Sequence, residues 1–470
     1  MSEENQPHGR AAQISIAVLP FTNLSNDPEE EYFSDGVTEE IINVLSRVPG
    51  LQVAGRTSSF VFKNQNTDLQ AISTQLHADH ILEGSLATSG EQLVITARLV
   101  RPDGSEIWSE RYDRDLEDIF DVQEEIAQAI LGAVKIELLG EEPAAAFKRY
   151  TSNKEAYQHY LRARFYHNKF GSSEEYHKAI GYFQAALASD PSYAIAYSGI
   201  ASCYLNMWFY RHIPAAKALP LMEAATRQAL ALDASIAESY LALARMQMLY
   251  EWDFKSAAAS FRTALELNWN TADLHGQYAL FLALTDRPGE AQQEAALSLT
   301  LEPFSLINNF YAAYVYWVSA RFDLAVAQGR KLVSLDPAFW GGYLITGLNL
   351  ITLKDYPAAQ EALETALEMN YNGITLSACG VLFGLSGETE SARDILTQMD
   401  SLARTSVVSN YDMGIVNGSI GETEAAVAYF ESAIANHEPP MLFFRYIVRD
   451  WLSGALNDER YQALAGRIAQ

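Results

Sequence analysis

A chain of 470 residues is too long for one ordinary compact domain and suits a modest domain joined to an extended array. Its net charge of −26 would repel phosphate backbones, which argues against direct nucleic-acid binding, while its balance of apolar and charged residues is that of a folded protein. The two cysteines, Cys203 and Cys379, lie far apart in helical patterns and offer neither a disulfide framework nor metal-ligand spacing.

Residues 1–13 are polar, lack the apolar stretch of a signal peptide and are expected to be flexible. No apolar run is long enough to span a bilayer, which points to a cytoplasmic protein, or to a periplasmic one if the chain is part of a longer membrane protein. From Ile14 to Phe21 a short apolar run ended by Pro20 reads as a buried strand. Tyr32 to Val48 carries helical spacing through Val37, Ile41, Ile42 and Leu45, and Pro49-Gly50 stops it.

Leu51 to Ala54 is a second strand, and Arg56 to Phe60 a turn. Asp68 to Leu76 reads as a short helix opened by a Thr67/Gln70 capping box. His80 to Ala87 and Gln92 to Val100 form a hairpin around Ser89-Gly90, Glu106 to Tyr112 adds a strand, and an amphipathic helix runs from Ile119 to Leu138. The order β-α-β-α-β-β-β-α predicts a mixed sheet with packed helices over residues 14–140, its first two strands parallel because a helix joins them.

Beyond a linker around Gly140 to Pro143 the strand signals stop and a repeat begins near Asn153. The tetrapeptide Gly387-Glu388-Thr389-Glu390 recurs as Gly421-Glu422-Thr423-Glu424, an offset of 34 residues, and Pro303 and Pro337 are again 34 apart. Ala257, Phe261 and Ala264 are echoed by Ala359, Leu363 and Ala366, and by Ala426, Phe430 and Ala433. Such a period marks stacked helical pairs, in which small Ala residues let helices approach and the aromatic or Leu between them fills the gap. Trp208 to Pro220 reads as an inserted loop, and residues 441–470 as helices that cap the array's apolar end.

Catalytic and metal motifs are not found: there is no phosphate-binding Gly loop, nucleophile elbow or His-Glu-x-x-His pair. His77 and His80 are three apart but straddle a helix-to-strand junction without a third ligand nearby. No cofactor and no metal are expected. Among local features, Arg56 is the residue placed to contact an anion or a partner carboxylate, or to hold its own turn against the sheet.

The repeat resembles the tetratricopeptide (TPR) pattern, with Tyr197, Ile200, Ala201 and Tyr204 at first-helix positions and Ala179, Phe183, Ala186 and Pro191 at second-helix positions. Seven or eight units over 153–440 are implied. The first region resembles the bacterial domain related to the amino-terminal domain of TolB. The residues that carry this are Ile16 to Phe21, Asn23-Leu24-Ser25, Tyr32 to Gly36, Arg56 to Phe60, Leu82 to Ser85 and Trp108 to Asp113. Such tandems form the carboxy-terminal part of many class III adenylate/guanylate cyclases and of winged-helix regulators of the HilA and CadC kind. About a dozen residues precede the first strand here, too few for either output domain.

By the repeat register, Arg245, Met248, Phe310, Tyr314, Trp317 and Leu348 face a concave groove suited to a protein segment. Only Arg245 is basic there, which disfavours capture of a chaperone's terminal carboxylate. The expectation is therefore an α+β domain followed by an all-α TPR solenoid, acting without catalysis as a protein-interaction scaffold in bacterial signalling, its partner a protein segment or a signalling output domain. The alternative is the sensory or regulatory region of an adenylate cyclase or transcriptional regulator, with a ligand sensed through the α/β domain.

Overall fold

The computed structural model describes residues 14–25, 31–65, 67–89, 92–115, 118–138, 148–169, 173–210, 212–452 and 458–468. The expected flexible N-terminus, the linker around Gly140 and the tip of the hairpin after Ser89 lie outside the described residues. The first part of the chain contains strands β1 (Ile14–Val18) and β2 (Thr22–Asn23), helix α1 (Glu31–Ser46) and strand β3 (Leu51–Val53). Helices α2 (Arg56–Phe60) and α3 (Leu69–Leu76), strands β4 (His80–Ser89), β5 (Gln92–Val100) and β6 (Glu106–Asp115), and helix α4 (Ile119–Leu138) follow.

The sheet order is β3-β1-β4-β5-β6, with β2 paired to β4. Strand β1 is parallel to both β3 and β4, whereas β4-β5 and β5-β6 are antiparallel, as the helix-joined and hairpin-joined connections require. Every residue of β1 is buried because helices cover both faces of the sheet. Along β5, Leu93, Ile95, Ala97 and Leu99 alternate inward toward α1 and α4, the period of two that a strand imposes.

Three local expectations are corrected. Strand β2 is too short to carry a periodic signal, and the Arg56–Phe60 turn is a helical turn. The Thr67/Gln70 capping box does not form: Asp68 stands at the N-cap without a side-chain cap bond, and Thr67 Oγ1 meets Gln65 instead.

Among the described residues eight helical pairs follow. They are α5/α6 (Lys154–His167, Ser173–Ser189), α7/α8 (Ala194–Phe209, Ala215–Leu232), α9/α10 (Ala237–Met246, Phe254–Leu267) and α11/α12 (Ala272–Leu284, Pro288–Leu301). The rest are α13/α14 (Leu306–Val318, Phe322–Leu335), α15/α16 (Trp340–Thr352, Tyr356–Met369), α17/α18 (Gly373–Ser386, Thr389–Leu402) and α19/α20 (Asn410–Ser419, Thr423–Ala435). Asn153 opens the array by accepting the backbone N–H of Ala156, an ordinary side-chain N-cap.

The Ala/Phe/Ala triplets of the second helices are fully buried at 179/183/186, 257/261/264 and 426/430/433, as is the Ala359/Leu363/Ala366 set. The recurring Gly of the tetrapeptide has a conformational cause. Gly387 and Gly421 are left-handed (φ +92° and +81°) where a first helix gives way to its second, and Trp252, Asp286, Ala320 and Lys354 take the same conformation at the equivalent turns. Gly accepts that backbone without a Cβ penalty.

Of the expected insertion over Trp208–Pro220 both ends are helical, with Tyr210 and His212–Pro214 outside the helices. Trp208 belongs to α7 and Pro220 to α8, so the extra length resides in longer helices. A π-helical turn, Gln247–Glu251, extends α9.

The last stretch does more than cap the end. Helix α22 (Glu459–Ile468) packs on α20 through Tyr461 and Phe430. Between them a 3₁₀ turn (Pro439–Phe443) and α21 (Phe444–Asp450) run back across the C-terminal ends of α9, α11, α13 and α15. Residues 437–452 are called the return segment below.

Candidate functional site

The first helix of each pair faces inward, and two parts of the same chain cover that inner surface. Over the first five pairs the cover is the α/β domain. Helix α1 lies against α5 at Gly36, where a Cβ would come within 2.8 Å of Leu161 Cδ2. The start of α2 meets the turn between α12 and α13: Gly55 N donates to Leu301 O (2.9 Å), Thr57 N to Glu302 Oε1 (3.0 Å), and Phe304 N to Ser58 Oγ (3.0 Å). A Cβ on Gly55 would fall 2.2 Å from the Glu302 side chain, so the approach depends on glycine.

A buried ion cluster completes this contact. Glu39 of α1 pairs with Arg56 (Nε to Oε2, 2.9 Å), accepts from Arg164 Nε (2.7 Å) and from Asn168 Nδ2 (2.9 Å). Burial would raise the Glu39 carboxyl, but Arg164 and Arg56 outweigh it and hold it below the usual carboxylate range. Arg56 thus joins α1 to α2 and stacks over Phe60.

Beneath this roof lies a cavity of about 390 Å³, bounded by α1 and α2 on one side and by α5, α7, α9, α11 and α13 on the other. Its floor is polar. Arg245 of α9 is 7 % exposed, and its Nη1 reaches Asn206 Oδ1 at 3.1 Å. Asp273 of α11 is surrounded by protein yet borders open space; burial raises its carboxyl, with Arg245 and Arg164 opposing.

Glu302 is pushed up to about 7, first by burial and then by the neighbouring Asp273. His167 is driven down to about 4 by burial and by Arg164, and so stands neutral. Asn270 and Gln277 line the cavity at 5 % exposure each. Among the described residues both amide atoms of Asn270 and the Gln277 Oε1 have no hydrogen-bond partner.

The C-terminal ends of α9, α11, α13 and α15 are covered instead by the return segment. Trp317 stacks on Trp451 (ring centroids 5.7 Å apart) and packs against Phe443 and Tyr446, while Tyr314 meets Phe443 at 5.2 Å. Arg449 donates to the carbonyls of Trp317 and Val318, Tyr446 OH to that of Ala283, and Trp451 Nε1 to Thr352 Oγ1 (2.9 Å). Arg445 pairs with Asp286, and His437 lies against Tyr250 and Trp252. These contacts reach the exposed carbonyls at helix C-termini, which cationic donors satisfy well.

The structure therefore distributes the expected groove residues over two places. Arg245 and Arg56 face the interdomain cavity, a juxtaposition that repeat register alone could not show. Tyr314 and Trp317 lie under the return segment, and Trp317 is only 5 % exposed. Phe310 makes edge-on contacts with Tyr314 and Phe339, Leu348 is half-buried against the core, and Met248 is buried within the π-helical turn. At Tyr314 and Trp317 the chain folds its own end over the inner face. Asn270, Asp273 and Gln277 went unread in the sequence, although Asp273 and Gln277, four apart, share one face of α11 and Asn270 lies just ahead of that helix.

Among the described residues no three His, Cys, Asp or Glu side chains form a metal-binding group, and no helix is long and apolar enough to cross a membrane. Solved structures similar to this chain include a human IFIT1 dimer with m7Gppp-AAAA (16 % identity, TM-score 0.47, 75 % of this chain and 80 % of that one). Another is PilF of Pseudomonas aeruginosa (20 % identity, TM-score 0.36, 50 % and 98 %). Likenesses of that size carry no functional weight. A curated relative, "Putative adenylate cyclase 3" of Rhizobium meliloti (strain 1021), is 38 % identical over 204 residues, 42 % of this chain and 34 % of that protein, so the chain spans about a third of the relative's length. Residues 12–129, which hold the whole described sheet, match the family described as "HilA/YgeH-like transcriptional regulator, second domain".

Proposed function

We propose that this chain is a regulatory interaction unit that works by binding rather than catalysis, its solenoid capturing a protein segment on the inner face of the first helices. The observation that carries this reading is the return segment. Tyr314 and Trp317 already hold a short helix of aromatic and arginine residues, through ring contacts and hydrogen bonds to backbone carbonyls. A partner segment of the same character would take its place, with Phe310 and Leu348 beside it.

The test uses the full chain and a fluorescent peptide of residues 437–452. Phe443→Ala/Trp451→Ala loosens the return segment, and this variant is expected to bind the peptide while the unaltered chain does not. Adding Tyr314→Ala/Trp317→Ala should abolish binding. A loosened variant that fails to bind, or binding that survives the added pair, sinks the assignment.

A second reading, the sensory region of a nucleotide cyclase or transcription regulator, is favoured by the polar cavity roofed by α1 and α2. The likeness to a putative adenylate cyclase and to a regulator's second domain supports it. On this reading a ligand bound there changes how the α/β domain sits on the solenoid, and an output domain receives that change.

A further inference from the structure

The cavity between α1/α2 and the first five pairs is built unlike a packing defect. Genuinely empty voids in protein interiors are apolar, whereas polar ones hold water or a ligand, and buried polar groups nearly always have partners. Here Asn270 leaves a donor and an acceptor without partners, and Gln277 leaves an acceptor, each side chain nine-tenths buried and set on the cavity wall. Leaving such groups unpaired is expensive unless something else satisfies them.

The charges point the same way. Arg164 and Arg56 are committed to Glu39. Arg245 has the Asn206 amide and lies over the Phe209 ring, with no carboxylate within ion-pair distance among the described residues. Asp273 has the Asn308 side chain as a hydrogen-bond partner but no cation within ion-pair distance among the described residues, although Arg245 lies near enough to act on it. Arg245 and Asp273 therefore face the same space, beside Glu238 and Glu302, without a direct ion pair between them. The cavity's volume is at the small end of the roughly 300–1,000 Å³ that small-molecule sites occupy.

We infer that this cavity is a binding site for a small zwitterion of the amino-acid type, its carboxylate held by Arg245 and the Asn270 amide N–H, its ammonium by Asp273 and the side-chain oxygens of Gln277 and Asn270. The inference rests on the ligand-sensing reading and is independent of segment capture. It supplies the unpaired groups with partners of the right sign: two donors for the carboxylate, three acceptors for the ammonium. Closure over the ligand falls to α1 and α2, which tie ligand occupancy to the seating of the α/β domain on the solenoid.

The test is thermal unfolding and titration calorimetry of the full chain, with the free proteinogenic amino acids as probes at millimolar concentration. Their N-acetyl and carboxamide derivatives, and glucose, are the controls. At least one free amino acid should raise the melting temperature, while its N-acetyl and carboxamide forms should not. Asp273→Asn and Arg245→Gln should each weaken that binding by about tenfold to a hundredfold, the worth of a hydrogen bond to a charged group.

Asn270→Leu separates a ligand role from a structural one. It should abolish binding yet leave the ligand-free chain as stable or more so, because an unpaired buried amide is replaced by an apolar group of similar shape. Stabilisation by glucose, or equally by the acetylated probes, overturns the zwitterion and leaves ligand sensing standing. Silence of every probe, together with a destabilised Asn270→Leu chain, overturns the site and the sensing reading together.

Discussion

Trp451→Ala removes an indole that is 6 % exposed, stacked on Trp317, and donating Nε1–H to Thr352 Oγ1 at 2.9 Å. Truncating a buried Trp costs about 3–5 kcal/mol in transfer and cavity terms. The rest of the return segment keeps its own hold, through Arg449 on the Trp317 and Val318 carbonyls and Arg445 on Asp286. The loss should therefore appear as local opening of the segment rather than as collapse of the array, whose pairs keep their Ala/Phe/Ala seams.

At about 1.4 kcal/mol per decade, that loss raises the open population by roughly two to three and a half orders of magnitude. Native-state hydrogen exchange is the assay. Backbone amides of 444–452 should lose protection by about that factor, while those of α5 to α8 hold theirs. Unchanged protection in the segment would show that Trp451 does not hold it in the groove. An equal loss through the whole array would show that the segment and the repeats open as one unit, which also refutes the local account.

Two further outcomes follow from the interdomain contact. Gly55→Ala would drive a Cβ into the Glu302 side chain and break the Gly55 N–Leu301 O and Thr57 N–Glu302 bonds, so the α/β domain should unseat. Limited proteolysis should then cut between the sheet and the first pair much faster than in the unaltered chain, and equal rates would count against the dock as described. Glu302, raised from an ordinary value near 4.5 to about 7 by burial and by Asp273, with Arg56 and the Thr57 N–H opposing, binds its proton more tightly folded than unfolded. Its contribution is fully present below pH 4.5 and is lost as pH rises through 7, a change of at most about 3 kcal/mol. Chemical denaturation of Glu302→Gln against the unaltered chain should give curves that diverge in the variant's favour between pH 5 and 8, and parallel curves refute the shift.

The sequence alone determined the two-part order, a mixed sheet followed by paired helices, because those signals are local. Alternation along β5 and the 34-residue recurrence of Gly387 and Gly421 are written within a few residues of where they act. It also placed Ala257, Phe261 and Ala264 in the core, since spacing on one helix decides which face is buried. What covers the inner face was not legible. Trp317 and Trp451 are far apart in the chain, as are Gly55 and Glu302, and no periodicity encodes which surfaces meet. Only the curvature of the stacked pairs brings the return segment to α13 and seats α1 and α2 over Arg245, Asp273 and Asn270. That curvature is the sum of small rotations between neighbouring pairs, so the cavity and the filled groove belong to the tertiary structure and to nothing shorter.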